Sequence, residues 1–249
     1  MAKTRTIARQ FEPVAATQYR NLLVSGCSYT WNNSETDICT WPYYLRDLAG
    51  FDQVLDCSQA GSGFGHTFNS VIHEIETNTA VSADDTFVII MWSGPERVDI
   101  TCDSAVVRTW SNMETQQLGT ALTSLSLFNS APSWLTRIGS DIESLRKQYH
   151  TVIDSSAQLF DSHIQITALE HYLQNLGFRS VFLNWDSDRN TAPVTLGRTR
   201  VDFAPVPTLG HYATVNQLRI PGDGHPSPDA HLAWTRSVLL PYLTENNLI

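Results

Sequence analysis

Residues 21–33 read NLLVSGCSYTWNN. A short apolar run ends at Gly26, and a polar stretch carrying Cys27 and Ser28 follows it. A run of this kind, closed by glycine, suits a parallel strand buried on both faces. The same grammar recurs outward from it. TWPYYLRDLAG (40–50) predicts a helix, with Thr40 placed to cap it, Pro42 in the first turn and Gly50 past the end. QVLDCS (53–58) predicts a second strand. Phe64, Phe68, Val71, Ile72 and Ile75 recur at helical spacing and predict an amphipathic helix over 65–78. DTFVIIMWS (85–93) is the most apolar run in the chain and predicts the central strand. Alternating strands and helices imply a parallel sheet covered by helices on both faces.

The second half is less regular. Residues 98–133 are rich in Ser and Thr and poorly periodic, which predicts an insertion or lid within a single domain spanning 1–249. A long helical region follows from Trp134. Its later part carries Phe160, Ile164, Ala168, Tyr172, Leu173 and Leu176 on one side, with Gly177 as the stop. SVFLNW (180–185) predicts the fourth strand, and 186–221 reads mostly as loop. A last helix is expected from Ser227, with Pro228 at its first position and Pro241 ending or kinking it.

Composition bounds the function. The chain has 249 residues, 42% hydrophobic and 16% charged, enough for a full core. A net charge of −9 with no basic run argues against nucleic acid as a partner. No run of about 18 apolar residues is present, so no membrane span is expected. The first residues, MAKTRTIARQFEPVAATQ, lack the apolar core of a secretory signal, so the cytoplasm is the expected location; a virus particle or signal-independent export stays open. Cys27, Cys39, Cys57 and Cys102 show no CxxC spacing and are expected as reduced thiols.

In open parallel sheets ligands gather at the carboxyl ends of the strands. That places Ser28, residues 58–63, residues 93–97 and the loop near Asp186 on one rim. No lysine follows the first strand as a phosphate loop requires, and AGSGFG after the second strand fits the dinucleotide fingerprint poorly. No GxSxG elbow occurs. What remains is a serine or cysteine nucleophile just past the first strand. Its base is sought in PGDGHPSPDAH (221–231). Asp223 and His225, two apart in extended backbone, point the same way, and a carboxylate beside the ring fixes its tautomer. As a rival reading, Asp223, His225, Asp229 and His231 could ligate a metal. Neither HExxH nor a cysteine pair accompanies them, and no metal or other cofactor is expected.

With these residues in hand, the chain resembles the SGNH/GDSL hydrolase superfamily, in particular members with a GCSxT first motif and an HPS…H last motif. The matching stretches are VSGCSYT (24–30), DCSQAGSGFGHT (56–67), VIIMWSGPER (88–97) and DGHPSPDAHLAW (223–234), in the family's order. The resemblance implies a flavodoxin-like three-layer α/β/α fold and hydrolysis of acyl esters. It implies Ser28 as nucleophile, His225 as base and Asp223 as the orienting acid. It also implies that the N–H groups of Gly61 and Ser28 form an oxyanion hole. Two departures stand out. The third motif lacks the family's asparagine, so Ser93, Gly94 or Arg97 would have to substitute for it. Asp223 precedes His225 by two residues where the family has three.

Ser28 is preferred over Cys27 because adjacent residues leaving a strand point oppositely, and cysteine is a common core residue. Tyr29, Trp31 and Trp92 fall on the predicted rim and suit stacking on a sugar ring, with Arg97 beside them. The expected activity is therefore a serine esterase removing short acyl groups, such as acetyl, from a carbohydrate or related ester. The alternatives are an O-acyltransferase, or a non-catalytic glycan-binding module on the same scaffold.

Overall fold

The computed structural model describes residues 13–14, 16–32, 39–94, 97–102, 121–126, 155–184, 194–196, 199–222 and 224–249. Side chains are described for all of these except 97–102, 121–126, 155–159 and 194–196. The elements are β1 (Asn21–Gly26), α1 (Trp41–Ala49), β2 (Gln53–Asp56), α2 (Phe64–Thr77) and β3 (Thr86–Trp92). There follow β4 (Arg97–Cys102), β5 (Ala121–Ser126), α3 (Ser155–Asn175), β6 (Arg179–Asn184), β7 (Val194–Leu196) and β8 (Thr199–Val201). The chain closes with α4 (Leu209–Val215), α5 (Pro228–Trp234), a π-helical turn (Thr235–Leu239) and α6 (Leu240–Glu245).

Four strands form an all-parallel sheet in the order β2-β1-β3-β6, with Gly26 opposite Met91 and Trp92 opposite Asn184. Alternation along each strand divides the core into two layers. Leu22, Val24, Phe87, Ile89, Met91, Val181 and Leu183 pack against α1, α4, α5 and α6. Leu23, Val88, Ile90, Trp92 and Phe182 pack against α2 and α3. The fold is thus a three-layer α/β/α sandwich. In chain order its sheet strands run 2-1-3-4, as in a flavodoxin-like sheet through its fourth strand. The first crossover leaves β1 in one direction and the next in the other. The crevice between the carboxyl ends of β1 and β3 is therefore the topological switch point, where ligands bind in such sheets.

Several elements differ from expectation. Thr40 has the extended backbone of a cap, but its hydroxyl makes no capping bond. It donates instead to the carbonyl of Thr30 (2.8 Å). Gly50 does end α1, at φ 82°. On α3 the buried positions are Ser162, Ile166, Thr167, Leu169 and Leu173, with Tyr172 partly buried, whereas Phe160, Ile164 and Ala168 are exposed, as is Leu176 just past its end. Of the expected side only Tyr172 and Leu173 meet the core, because apolar residues lie on both sides of this helix. Within 98–133, β4 and β5 pair antiparallel, Arg97 opposite Ser126, beside α2. The expected loop 186–221 holds the β7–β8 hairpin and α4, whose first turn is capped by the Thr208 hydroxyl accepting from the N–H of His211 (3.3 Å). Ser227 caps α5 as expected, accepting from the N–H of Ala230 (3.2 Å). Pro241 neither ends nor breaks this segment. It lacks the N–H an unbroken α-helix would send to the carbonyl of Ser237, and the backbone widens to the π turn just before it.

Candidate active site

β1 stops at a glycine for a steric reason. A Cβ on Gly26 would lie 2.5 Å from Thr30 Oγ1 and 2.7 Å from the carbonyl oxygen of Met91. Only a bare backbone lets the chain turn back at that point. The turn closes when the N–H groups of Thr30 and Trp31 both donate to the carbonyl of Cys27, each at 2.9 Å. Thr30 is tied to the start of α1, receiving the Thr40 hydroxyl on its carbonyl and the Trp41 indole N–H on its own hydroxyl (3.4 Å). In this turn Cys27 is fully buried in the core, while Ser28 is partly exposed.

The second part of the site arrives from the far end of the sequence. Residues 219–222 and 224–226 form the two sides of a narrow hairpin, with Arg219 bridged to Pro226 and the N–H of Ile220 donating to the carbonyl of His225 (2.8 Å). Gly222 and Gly224 occupy left-handed backbone at φ 80° and 78°, which makes the turn tight. The hairpin brings His225 Nε2 to 2.9 Å from Ser28 Oγ, across 197 positions of sequence. Asp223 lies outside the described residues.

The loop after β2 is strapped to the same strand end. The N–H of Gln59 and the hydroxyl of Ser62 donate to the carbonyl of Gly26, at 3.1 and 2.8 Å. Asp56 accepts from the N–H of Ser58 (2.9 Å) and from its hydroxyl, which folds the loop back. Gly61 takes a left-handed conformation here, φ 79°. Neither its N–H nor that of Ser28 meets an acceptor among the described residues. Ser93 and Gly94, both buried, follow the carboxyl end of β3. The Ser93 hydroxyl has no hydrogen-bond partner among the described residues.

The aromatic expectations change. Trp92 is fully buried, stacked on Phe64 (5.0 Å) and edge-on to Phe182 (5.6 Å), because strand alternation turns it into the α2/α3 layer. It is not a rim platform. Tyr29 is only 5% exposed, with its ring 5.5 Å from that of His225 in an edge-on arrangement, so it backs the imidazole instead of offering a face to solvent. Trp31 remains half-buried beside the turn. The side chain of Arg97 is outside the described residues.

His231 is 2% exposed, and Nδ1 accepts from the N–H of Trp41 (3.2 Å). Burial, reinforced by the nearby charge of His225, pushes its pKa down to about 3. It is a neutral acceptor in the core. Among the described residues no three His, Cys, Asp or Glu side chains converge as a metal site would need. Cys39 and Cys57 are free thiols, raised by burial to about 11 and well above the usual range respectively, so neither ionises at neutral pH.

Two contributors were not singled out in the sequence. Thr30 stands in the VSGCSYT stretch, but its bonds depend on α1. Arg219 precedes the last motif and reaches back to the hydroxyl of Tyr29 (3.1 Å), a contact with no local signature. No protein-family model matches the chain, and no curated protein matches its sequence.

Proposed function

We propose that the protein is a serine acyl-ester hydrolase of the SGNH/GDSL type, acting through an acyl-enzyme on short acyl esters of a carbohydrate or related alcohol. The observation that carries this reading is the 2.9 Å approach of His225 Nε2 to Ser28 Oγ at the sheet's switch point. Hydroxyl and imidazole at that distance form the nucleophile–base pair of acyl transfer.

Neutral His225 takes the Ser28 proton at Nε2 as Oγ bonds to the ester carbonyl carbon. The carbonyl oxygen becomes an anion, facing the Ser28 and Gly61 N–H groups and the Ser93–Gly94 turn. Imidazolium then protonates the leaving alcohol, leaving an acyl-serine. Water, deprotonated by His225, attacks the acyl carbon and releases the acid with Ser28 restored. Asp223 is proposed to hold the imidazole's orientation. The acyl group and the sugar class rest on the family resemblance and on Trp31 at the rim.

Turnover of 4-nitrophenyl acetate tests this. His225→Ala should lower kcat by about 1,000-fold or more while circular dichroism stays that of the parent. Undiminished turnover in that variant removes His225 from the mechanism. An inactive parent protein that still binds the glycan would instead describe a binding module.

A further inference from the structure

The side chain of Arg219 joins three pieces of chain. Nε donates to Thr214 Oγ1 (2.8 Å) and Nη2 to the carbonyl of Gly210 (2.9 Å), both on α4. Nη1 donates to the carbonyl of Gly224 and to the hydroxyl of Tyr29 (3.1 Å). Gly224 immediately precedes His225, and Tyr29 immediately follows Ser28. The same Tyr29 ring abuts the imidazole at 5.5 Å.

We propose that Arg219 is a positioning residue that sets the separation of Ser28 and His225, by holding the residue after the nucleophile and the residue before the base from one planar group. The proposal rests on the hydrolase reading of that pair. The hairpin bearing His225 needs such a support. Two strand segments joined by a tight turn are marginal alone, and this turn contains two left-handed glycines. Its main-chain bonds, Ile220 N–H to His225 O and Gly224 N–H to Ile220 O (3.1 Å), close the hairpin on itself without fixing it to β1. Arg219 supplies that link. α4 is its anchor, because Gly210 is buried and Thr214 is held by a bond from its own hydroxyl to the Gly210 carbonyl (2.8 Å). Lysine cannot replace it: an ammonium on a flexible stem lacks the planar fork whose fixed directions serve four acceptors at once.

The test compares the full chain with Arg219→Lys, Arg219→Met and Tyr29→Phe, on 4-nitrophenyl acetate and by nitrogen-15 NMR of the histidine rings. Displacing a reacting group by about 1 Å costs on the order of 100-fold, so both Arg219 variants should lose about 30- to 100-fold in kcat with KM held within about twofold. Tyr29→Phe should lose about threefold alone and nothing further in the Arg219→Met background, since its bond is already gone. The His225 ring resonances should shift in Arg219→Lys while those of exposed His171 stay fixed. A Lys variant with parental kcat and unshifted His225 overturns the proposal, as does one in which KM alone rises. If neither Arg219 variant folds, Tyr29→Phe decides, and parental kcat there overturns it. If the parent turns over no ester, the hydrolase reading has failed, and the NMR comparison by itself decides whether Arg219 positions His225.

Discussion

Ser93 is 3% exposed, and its hydroxyl meets no hydrogen-bond partner among the described residues. Leaving a buried polar group unsatisfied costs about 1–3 kcal/mol, so stability alone would favour alanine there. A donor kept free at the end of β3, beside the switch point, makes sense if it serves a charge that appears only during reaction. Ser93→Ala should therefore separate the two roles. Its urea midpoint should match or exceed the parent's, and kcat should fall about 10- to 100-fold as for loss of an oxyanion donor. A destabilised variant with full kcat would make the hydroxyl structural. At this scale, legibility followed locality. Ser28 and His225 could be singled out because each stands near a residue with a distinct backbone role, Gly26 closing the apolar run and Pro226 restricting the residue before it. Arg219 could not, since its meaning lies in acceptors as far as 190 positions away. Trp92 shares parity with Val88 and Ile90, and that parity outweighed its place at a strand end.

α1 depends on α5 for its first hydrogen bond. The helix start that Thr40 leaves uncapped is served by His231 Nδ1, which accepts from the N–H of Trp41 (3.2 Å). Because Trp41 and Thr40 in turn hold Thr30, this contact also braces the nucleophile turn. Its cost is a pH dependence. The unfolded chain protonates His231 below its ordinary value of 6.5, whereas the folded chain does so only near 3. Between those values unfolding takes up a proton, so stability falls as pH falls. At about 1.36 kcal/mol per pH unit, the loss between pH 7.5 and 5 comes to about 2 kcal/mol. His231→Asn retains an acceptor and cannot titrate. Urea unfolding at the two pH values should show the parent losing about 2 kcal/mol more than the variant, and equal losses would contradict the assignment. Elements bounded by Gly, Pro or a capping serine were readable: Gly50 ends α1, and Ser227 with Pro228 opens α5. Elements without such punctuation were not. α4 is capped by Thr208 but contains Gly210, Thr214 and Val215, weak helix formers that hid it. β4 alternates Val98, Ile100 and Cys102 against Arg97, Asp99 and Thr101, a period-2 signal masked by the polar sequence that follows.

Across the molecule, one parallel sheet converts sequence distance into proximity. β1 and β3 are neighbours, and their carboxyl ends deliver Ser28 and Ser93 to one crevice. The β2 loop is tied to Gly26 by Ser62 and brings Gly61. α4 and the following hairpin close the crevice with His225. The α/β alternation and the rim rule were legible because apolar runs, helical spacing and turn residues agreed on them. The pairing of first quarter with last tenth rested on residue chemistry and the family resemblance, since no local signal records which loops meet. The direct measurement is intact mass and peptide mapping after exposure to a fluorophosphonate, in the parent, Ser28→Ala and Cys27→Ala. The hydrolase reading predicts one adduct per chain, on Ser28, retained in Cys27→Ala and absent from Ser28→Ala. No adduct on the parent, or an adduct that persists in Ser28→Ala, would contradict it.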